Sequence, residues 1–235
     1  NLKYFGNLKQ LNLSENMIKK IEKLDGLVSL QVLDLSNNEL SKIENLGRLI
    51  NLKWLNLSHN GLRKIEKLNG LNNLEKLILS HNSKLTVIEK IENLDELVNL
   101  KTVRLDRNKI FKLDKLDKLR NLEELMIGEN QITRLENLDK LNNLKRLSVS
   151  GNRVLRIENL KQLINLVELY MVNCEITRIE KLDELKNLKK LLMSNNKMNK
   201  IENLSHLKQL TSLDLMNNKV NGIENLEKLR NLVNL

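Results

Sequence analysis

The sequence predicts a curved α/β solenoid, with a parallel β-sheet along its concave side and short 3₁₀ or helical turns along its convex side. Three observations predict it. Units begin at Leu8, Leu30, Leu52, Leu74, Leu100, Leu122, Leu144, Leu166, Leu188 and Leu210, and all span 22 residues except the 26 from Leu74 to Asn99. Within each unit an alternating apolar half is followed by a half with an apolar residue at every third position. Aromatic residues make up only 2% of the 235 residues, so the core is built almost wholly from Leu and Ile, which suits a thin repetitive stack better than a globule.

The first half of each unit, such as Leu33-Asp34-Leu35, has the period of two expected of a short strand with one buried face. The second half, such as Ile43, Leu46 and Leu49 leading to Leu52, has the spacing of a 3₁₀-like or short helical turn with one buried stripe. One unit buries neither face alone, whereas stacked units bury both. The whole chain, residues 1–235, therefore reads as a single array of ten complete units. Leu2 and Phe5 match the last apolar positions of a preceding unit, and Leu232 and Leu235 open another. Capping units are thus expected to lie beyond both ends.

Asn16, Asn38, Asn60, Asn82, Asn108, Asn130, Asn152, Asn196 and Asn218 form one column at the turn leaving each strand, with Cys174 in the same place in the eighth unit. A buried amide there can bond backbone groups of its own and the neighbouring unit, which strand ends require. These ten residues read as a structural ladder, Cys174 included. An acidic column (Glu44, Glu66, Glu136 and their equivalents) stands two residues after a basic one (Lys42, Lys64, Arg134), giving a solvated charge ladder on the outer surface. The long unit departs at Asn82-Ser83-Lys84-Leu85, one residue longer than usual, and at Ile88-Glu89-Lys90-Ile91, an added turn. Both additions between residues 82 and 91 are expected to bulge on the convex side or rim.

The unit matches LxxLxLxx(N/C)xL throughout and is identified as a member of the leucine-rich repeat (LRR) family. Its length, and endings such as Ile201 to Leu210 (IENLSHLKQL), resemble the 22-residue intracellular subclass typified by the leucine-rich regulatory subunit of protein phosphatase 1. Internalins share the length but usually carry a proline in the second half, and this chain has none. The resemblance implies a protein-binding scaffold that is not an enzyme and needs no cofactor. Its partner would be a phosphatase catalytic subunit or, since the subclass also occurs in cilia, a dynein or axonemal protein. An LRR arm of a larger multidomain protein is a further alternative.

In this family ligands lie against the concave strands, where most outward positions are polar. The exceptions are Val32, Trp54, Ile78, Met126, Tyr170, Val172, Leu192 and Met216. Of these, Trp54, Ile78, Met126, Tyr170 and Leu192 are the binding candidates, together with Arg104 from the charged stripes. Trp and Tyr are the residue types that anchor interfaces. Ile78, Met126, Tyr170 and Leu192 share one position between the two strand leucines and are expected to point the same way. Stripes of opposite sign in the fifth, sixth and seventh units either pair with each other or fix a partner's register.

The net charge of +10 raises the nucleic-acid question. Concave positions carry ten cations and nine anions, so no basic stripe follows that face. Nucleic acid is therefore not the expected partner. His59 and His81 occupy equivalent positions in adjacent units, but two ligands without a third make no metal site. No nucleophile motif or phosphate loop appears, and no apolar run approaches the ~20 residues of a membrane span. A single cysteine, and the sequons at Asn12 and Asn56 on the binding face, point to an intracellular setting, the cytoplasm with nucleus or cilium as options.

Overall fold

A computed structural model describes residues 2–85, 97–114 and 116–235. Ten strands of three residues each follow in order: β1 (Gln10–Asn12), β2 (Val32–Asp34), β3 (Trp54–Asn56), β4 (Lys76–Ile78), β5 (Thr102–Arg104), β6 (Glu124–Met126), β7 (Arg146–Ser148), β8 (Glu168–Tyr170), β9 (Lys190–Leu192) and β10 (Ser212–Asp214). They form one parallel sheet in sequence order. The repeat length sets the register: Leu33 lies opposite Leu55, and across the long unit Leu77 lies opposite Val103. The middle residue of each strand from β2 onward is buried, and its neighbours are half-buried except for the buried Ser148.

The two sequence periods translate directly into this architecture. Strand leucines such as Leu55 and Leu57 meet the every-third-residue leucines such as Leu62, Ile65, Leu68 and Leu71, all at 0–3% exposure, in one continuous core. On the convex side the spacing of three becomes paired i→i−3 hydrogen bonds, Leu49 N–H to the Leu46 carbonyl and Leu52 N–H to the Leu49 carbonyl, both 2.9 Å. These remain single 3₁₀-type turns. Among the described residues the only helical segment is the 3₁₀ piece Leu2–Tyr4. A left-handed residue before the paired turns, Asn45 at φ 57° or Asn159 at φ 59°, prevents the turns from extending backward into a helix.

The asparagine column does what its position requires. Asn60 Nδ2 donates to the carbonyls of Leu35 (2.9 Å), Leu57 (3.2 Å) and Ser58 (3.1 Å), while its Oδ1 accepts the Leu40 N–H at 2.9 Å. Such a side chain ties three backbone segments across two units. Cys174 keeps only weak sulfur contacts, to the Val149 carbonyl at 3.5 Å and the Val172 carbonyl at 3.8 Å.

Two further asparagine ladders were not anticipated from the sequence. Asn45, Asn137, Asn159, Asn203 and Asn225 each donate to a carbonyl of the preceding unit at 2.6–2.8 Å, starting with Asn45 to Ile21. Asn51, Asn73, Asn99, Asn121, Asn143, Asn165, Asn187 and Asn231 do the same just before each strand, at 2.7–2.9 Å. Amide columns therefore connect the stack at three levels between one strand and the next.

The extra residue at Asn82-Ser83-Lys84-Leu85 is absorbed locally. Leu85 N–H bonds the Asn82 carbonyl at 2.7 Å, Leu85 stays fully buried, and Ser83 and Lys84 are exposed. Asn108 Oδ1 then takes the Asn82 N–H at 2.7 Å instead of an N–H two residues further on. The second addition, Ile88–Ile91, lies outside the described residues.

Candidate protein-binding surface

The concave surface is built from the two outward positions of each strand and the residues flanking them. Trp54 lies in β3, in register with Val32 and Lys76. The remaining candidates share the adjacent outward column, which in register order runs Ile78, Arg104, Met126, Ser148, Tyr170, Leu192. All six candidates are half-buried. The shared column thus holds as expected, but its apolar members are interleaved. Tyr170 and Leu192 are neighbours, Arg104 stands between Ile78 and Met126, and Ser148 stands between Met126 and Tyr170. Trp54 is set apart by one column.

This column has a structural use elsewhere in the array. In units one to three and ten it holds Asn12, Asp34, Asn56 and Asp214, each accepting the backbone N–H two residues on at 2.9–3.1 Å. Such side-chain caps hold the strand exit. Units four to nine replace the cap residue with Ile78, Arg104, Met126, Ser148, Tyr170 and Leu192. Two of the released N–H groups are taken over from the previous unit: Gly128 N–H by Asp106 Oδ1 at 2.9 Å, and Val172 N–H by Ser150 Oγ at 3.0 Å. Among the described residues, none of these six side chains accepts the backbone N–H two residues on.

Charge on this face is largely paired within the chain. Arg104 bonds Glu124 at 2.9 Å, Arg146 joins Glu124 to Glu168, and the Tyr170 hydroxyl donates to Glu168. Lys101–Glu75 at 2.9 Å, Lys145–Glu123 at 2.8 Å and Arg107–Glu129 at 2.8 Å flank that row. Pairs as exposed as these contribute roughly 0–1 kcal/mol each. Their larger effect is to neutralise the centre of the arch. Arg104, a binding candidate on sequence grounds, is thus engaged by Glu124.

The electrostatics of single groups follow from these contacts. Burial raises the Glu168 carboxyl, yet hydrogen bonds from Tyr170 and Arg146 outweigh that and hold it below the usual range. Burial, and then the bond to Glu168, push the Tyr170 phenol up to about 12, so it stays a donor at neutral pH. Burial also raises the Asp106 carboxyl, against opposing hydrogen bonds from backbone N–H groups. The His59 and His81 rings stack with centroids 3.9 Å apart and planes at 15°. Burial, His59 and Arg107 lower the His81 pKa. Burial pushes the Cys174 thiol up to about 11, which makes it a poor nucleophile at neutral pH. Among the described residues no group of three or more His, Cys, Asp or Glu is placed to hold a metal ion, and no helix is long and apolar enough to cross a membrane. On the outer surface, Lys112–Asp114 at 2.9 Å and Arg134–Glu136 at 3.3 Å realise part of the expected charge ladder.

Comparison with known proteins bears on what this architecture is. The family described as Leucine Rich repeats (2 copies) matches residues 6–48 and 120–162, and Leucine Rich Repeat matches 51–71. Comparison with curated proteins gives no match. Among solved structures, an LRR protein of Leptospira interrogans is 30% identical, with a TM-score of 0.75, over 99% of this chain and 68% of that one. An internalin (inlF) from Listeria monocytogenes is 23% identical, with a TM-score of 0.73, over 97% of this chain and 75% of that one. The LRR ectodomain of the Arabidopsis thaliana receptor kinase GASSHO1/SCHENGEN3 is 24% identical, with a TM-score of 0.75, over 100% of this chain and 30% of that one. The last two likenesses show a common fold. Together with the repeat register and the asparagine ladder, the Leptospira relative places this chain in the leucine-rich repeat family.

Proposed function

We propose that the chain is a protein-interaction scaffold that binds its partner across the concave face, through Trp54, Ile78, Arg104, Met126, Tyr170 and Leu192. The observation that carries this reading is the replacement of strand-exit caps by large side chains in units four to six, eight and nine. On a solvated sheet face that exchange gives up a backbone cap, whereas an interface gains anchors. The receptor ectodomain with the same fold is described in complex with CASPARIAN STRIP INTEGRITY FACTOR 2, an example of an LRR array holding a protein ligand.

The finer assignment is regulation of a protein phosphatase 1 catalytic subunit within the cell. It is supported by the 22-residue unit and by endings such as Ile201 to Leu210. Affinity capture followed by mass spectrometry tests both levels. The reading expects Trp54→Ala and Tyr170→Ala to reduce recovery of the principal partner while the melting temperature changes little. Unchanged recovery with both variants folded would reject the concave face as the binding surface. Recovery of axonemal or dynein proteins instead of phosphatase 1 would overturn only the finer assignment.

A further inference from the structure

The concave cations divide into two groups. Those at the centre are clasped by anions of adjacent strands, Arg104 by Glu124 and Arg146 by Glu124 and Glu168. Apart from Lys9 ahead of β1, the concave cations that form no ion pair among the described residues are Lys53, Lys76, Lys189 and Lys190. They are not scattered. Lys53 adjoins Trp54 in sequence, and Lys76 lies opposite Trp54 in register. Lys190 lies opposite Glu168 in register and holds its ammonium 5.5 Å from the Tyr170 ring centre, with Lys189 beside it. Each open lysine pair therefore accompanies one of the two aromatic residues of the strand face. Between Trp54 in β3 and Tyr170 in β8 lie five strand steps, about 24 Å along the sheet.

Resting on the concave-face reading above, we propose that the bound segment is an acidic stretch of protein with two large apolar anchors, one seated at Trp54 and one at Tyr170. Its carboxylates meet Lys53 and Lys76 at one end and Lys189 and Lys190 at the other. The self-neutralised centre between them contributes contact area without net charge. An extended chain covers the span with anchors about seven residues apart. A nucleic acid fits less well, because phosphates recur along its whole length and the central arginines are already paired.

Fluorescence anisotropy with defined probes tests this. The first probe is a labelled Glu/Ser/Gly peptide carrying two Trp residues about seven positions apart. The others are the same peptide with Lys for Glu, the acidic peptide with one Trp, and an oligo-dT strand of equal charge. The acidic two-Trp peptide is expected to bind tightest, and the K53E/K76E and K189E/K190E pairs to weaken it about tenfold each. The K140E/K161E pair, at two exposed positions of the convex turns, changes the net charge equally and is expected to leave affinity unchanged. Undetectable binding of the acidic peptide, equal binding of the lysine peptide, or indifference to both lysine reversals would overturn the proposal. Equal or tighter binding of oligo-dT would overturn it in favour of nucleic acid. If Trp54→Ala and Tyr170→Ala reduce partner capture while the lysine reversals do not, the charge inference fails and the concave-face reading stands.

Discussion

Truncating one ladder asparagine in the middle of the array tests whether the ladder joins adjacent units. Asn130 Nδ2 donates to the carbonyls of Leu105 (3.0 Å), Ile127 (3.1 Å) and Gly128 (3.0 Å), and its Oδ1 accepts the Ile110 N–H at 3.0 Å. In Asn130→Ala the three carbonyls each keep another donor: Asn108 Nδ2 at Leu105, Asn152 Nδ2 at Ile127, and Arg107 N–H at Gly128. The Ile110 N–H, in contrast, loses its partner inside the core. One orphaned buried donor costs about 1–3 kcal/mol, and the loss of three shared bonds brings the total to about 2–4 kcal/mol. For a chain of this length that lowers the melting temperature by about 5–15 °C.

Asn16 provides the contrast, because its side chain bonds only the Leu13 and Ser14 carbonyls within its own unit, at 3.2 and 2.9 Å, and is exposed. Asn16→Ala is expected to cost about 0.5 kcal/mol. Urea denaturation of the two variants against the native chain measures both values. Equal, small losses at the two positions would refute the view that the ladder stabilises the stack by joining adjacent units.

Cys174→Asn restores an Oδ1 where the ladder has sulfur, and the equivalent acceptor in the preceding unit takes the Ile132 N–H at 2.9 Å. It is expected to raise stability by about 1 kcal/mol in the same urea assay. Burial raises the folded-state pKa of Asp106, so ionising it at neutral pH costs the folded state. That cost is absent below the ordinary carboxylate range near pH 4 and sets in as pH rises through the raised value. Asp106→Asn keeps an oxygen for the Gly128 N–H and is expected to melt above the native chain at pH 7, with the difference closing toward about pH 3 in thermal scans.

The fold was legible because the unit repeats: the period places the strands, the spacing of three places the convex turns, and the first asparagine column marks the strand exits. The second and third asparagine ladders were equally periodic in the sequence. They went unrecognised because Asn45 or Asn51, read alone, is a polar residue on a solvated side. Their function depends on the previous unit's carbonyl being within reach, a property of the stack and not of the unit. The left-handed column of Glu15, Asn37, His59, His81, Arg107 and Glu129, with φ between 50° and 58°, was hidden for a related reason. Four different residue types occupy one backbone conformation, so composition gives no sign of it.

For the candidate surface, the sequence located the outward column but not its internal pairing. The alternation of signs from Lys101 to Arg146 left intramolecular and intermolecular pairing equally open. Side-chain reach across the sheet favours the first for Arg104, Arg107, Lys145 and Arg146. Lys53, Lys76, Lys189 and Lys190, left over beside Trp54 and Tyr170, emerge only once those pairs are drawn. The caps at Asn12, Asp34, Asn56 and Asp214 could have been found from sequence, since Asn or Asp two residues before a turn is a recognised pattern.

On the proposed reading, stability and binding occupy different columns of the same strands. That separation is tested most directly by returning the mid-array column to the cap residue of the outer units, with Ile78→Asn, Met126→Asn, Tyr170→Asn and Leu192→Asn in one chain. Melting temperature and affinity for the captured partner are then measured on the same preparation. The account predicts a chain at least as cooperative and nearly as stable as the native one, with partner affinity reduced at least about a hundredfold. A variant that binds as tightly as the native chain, or one that fails to fold, would contradict it.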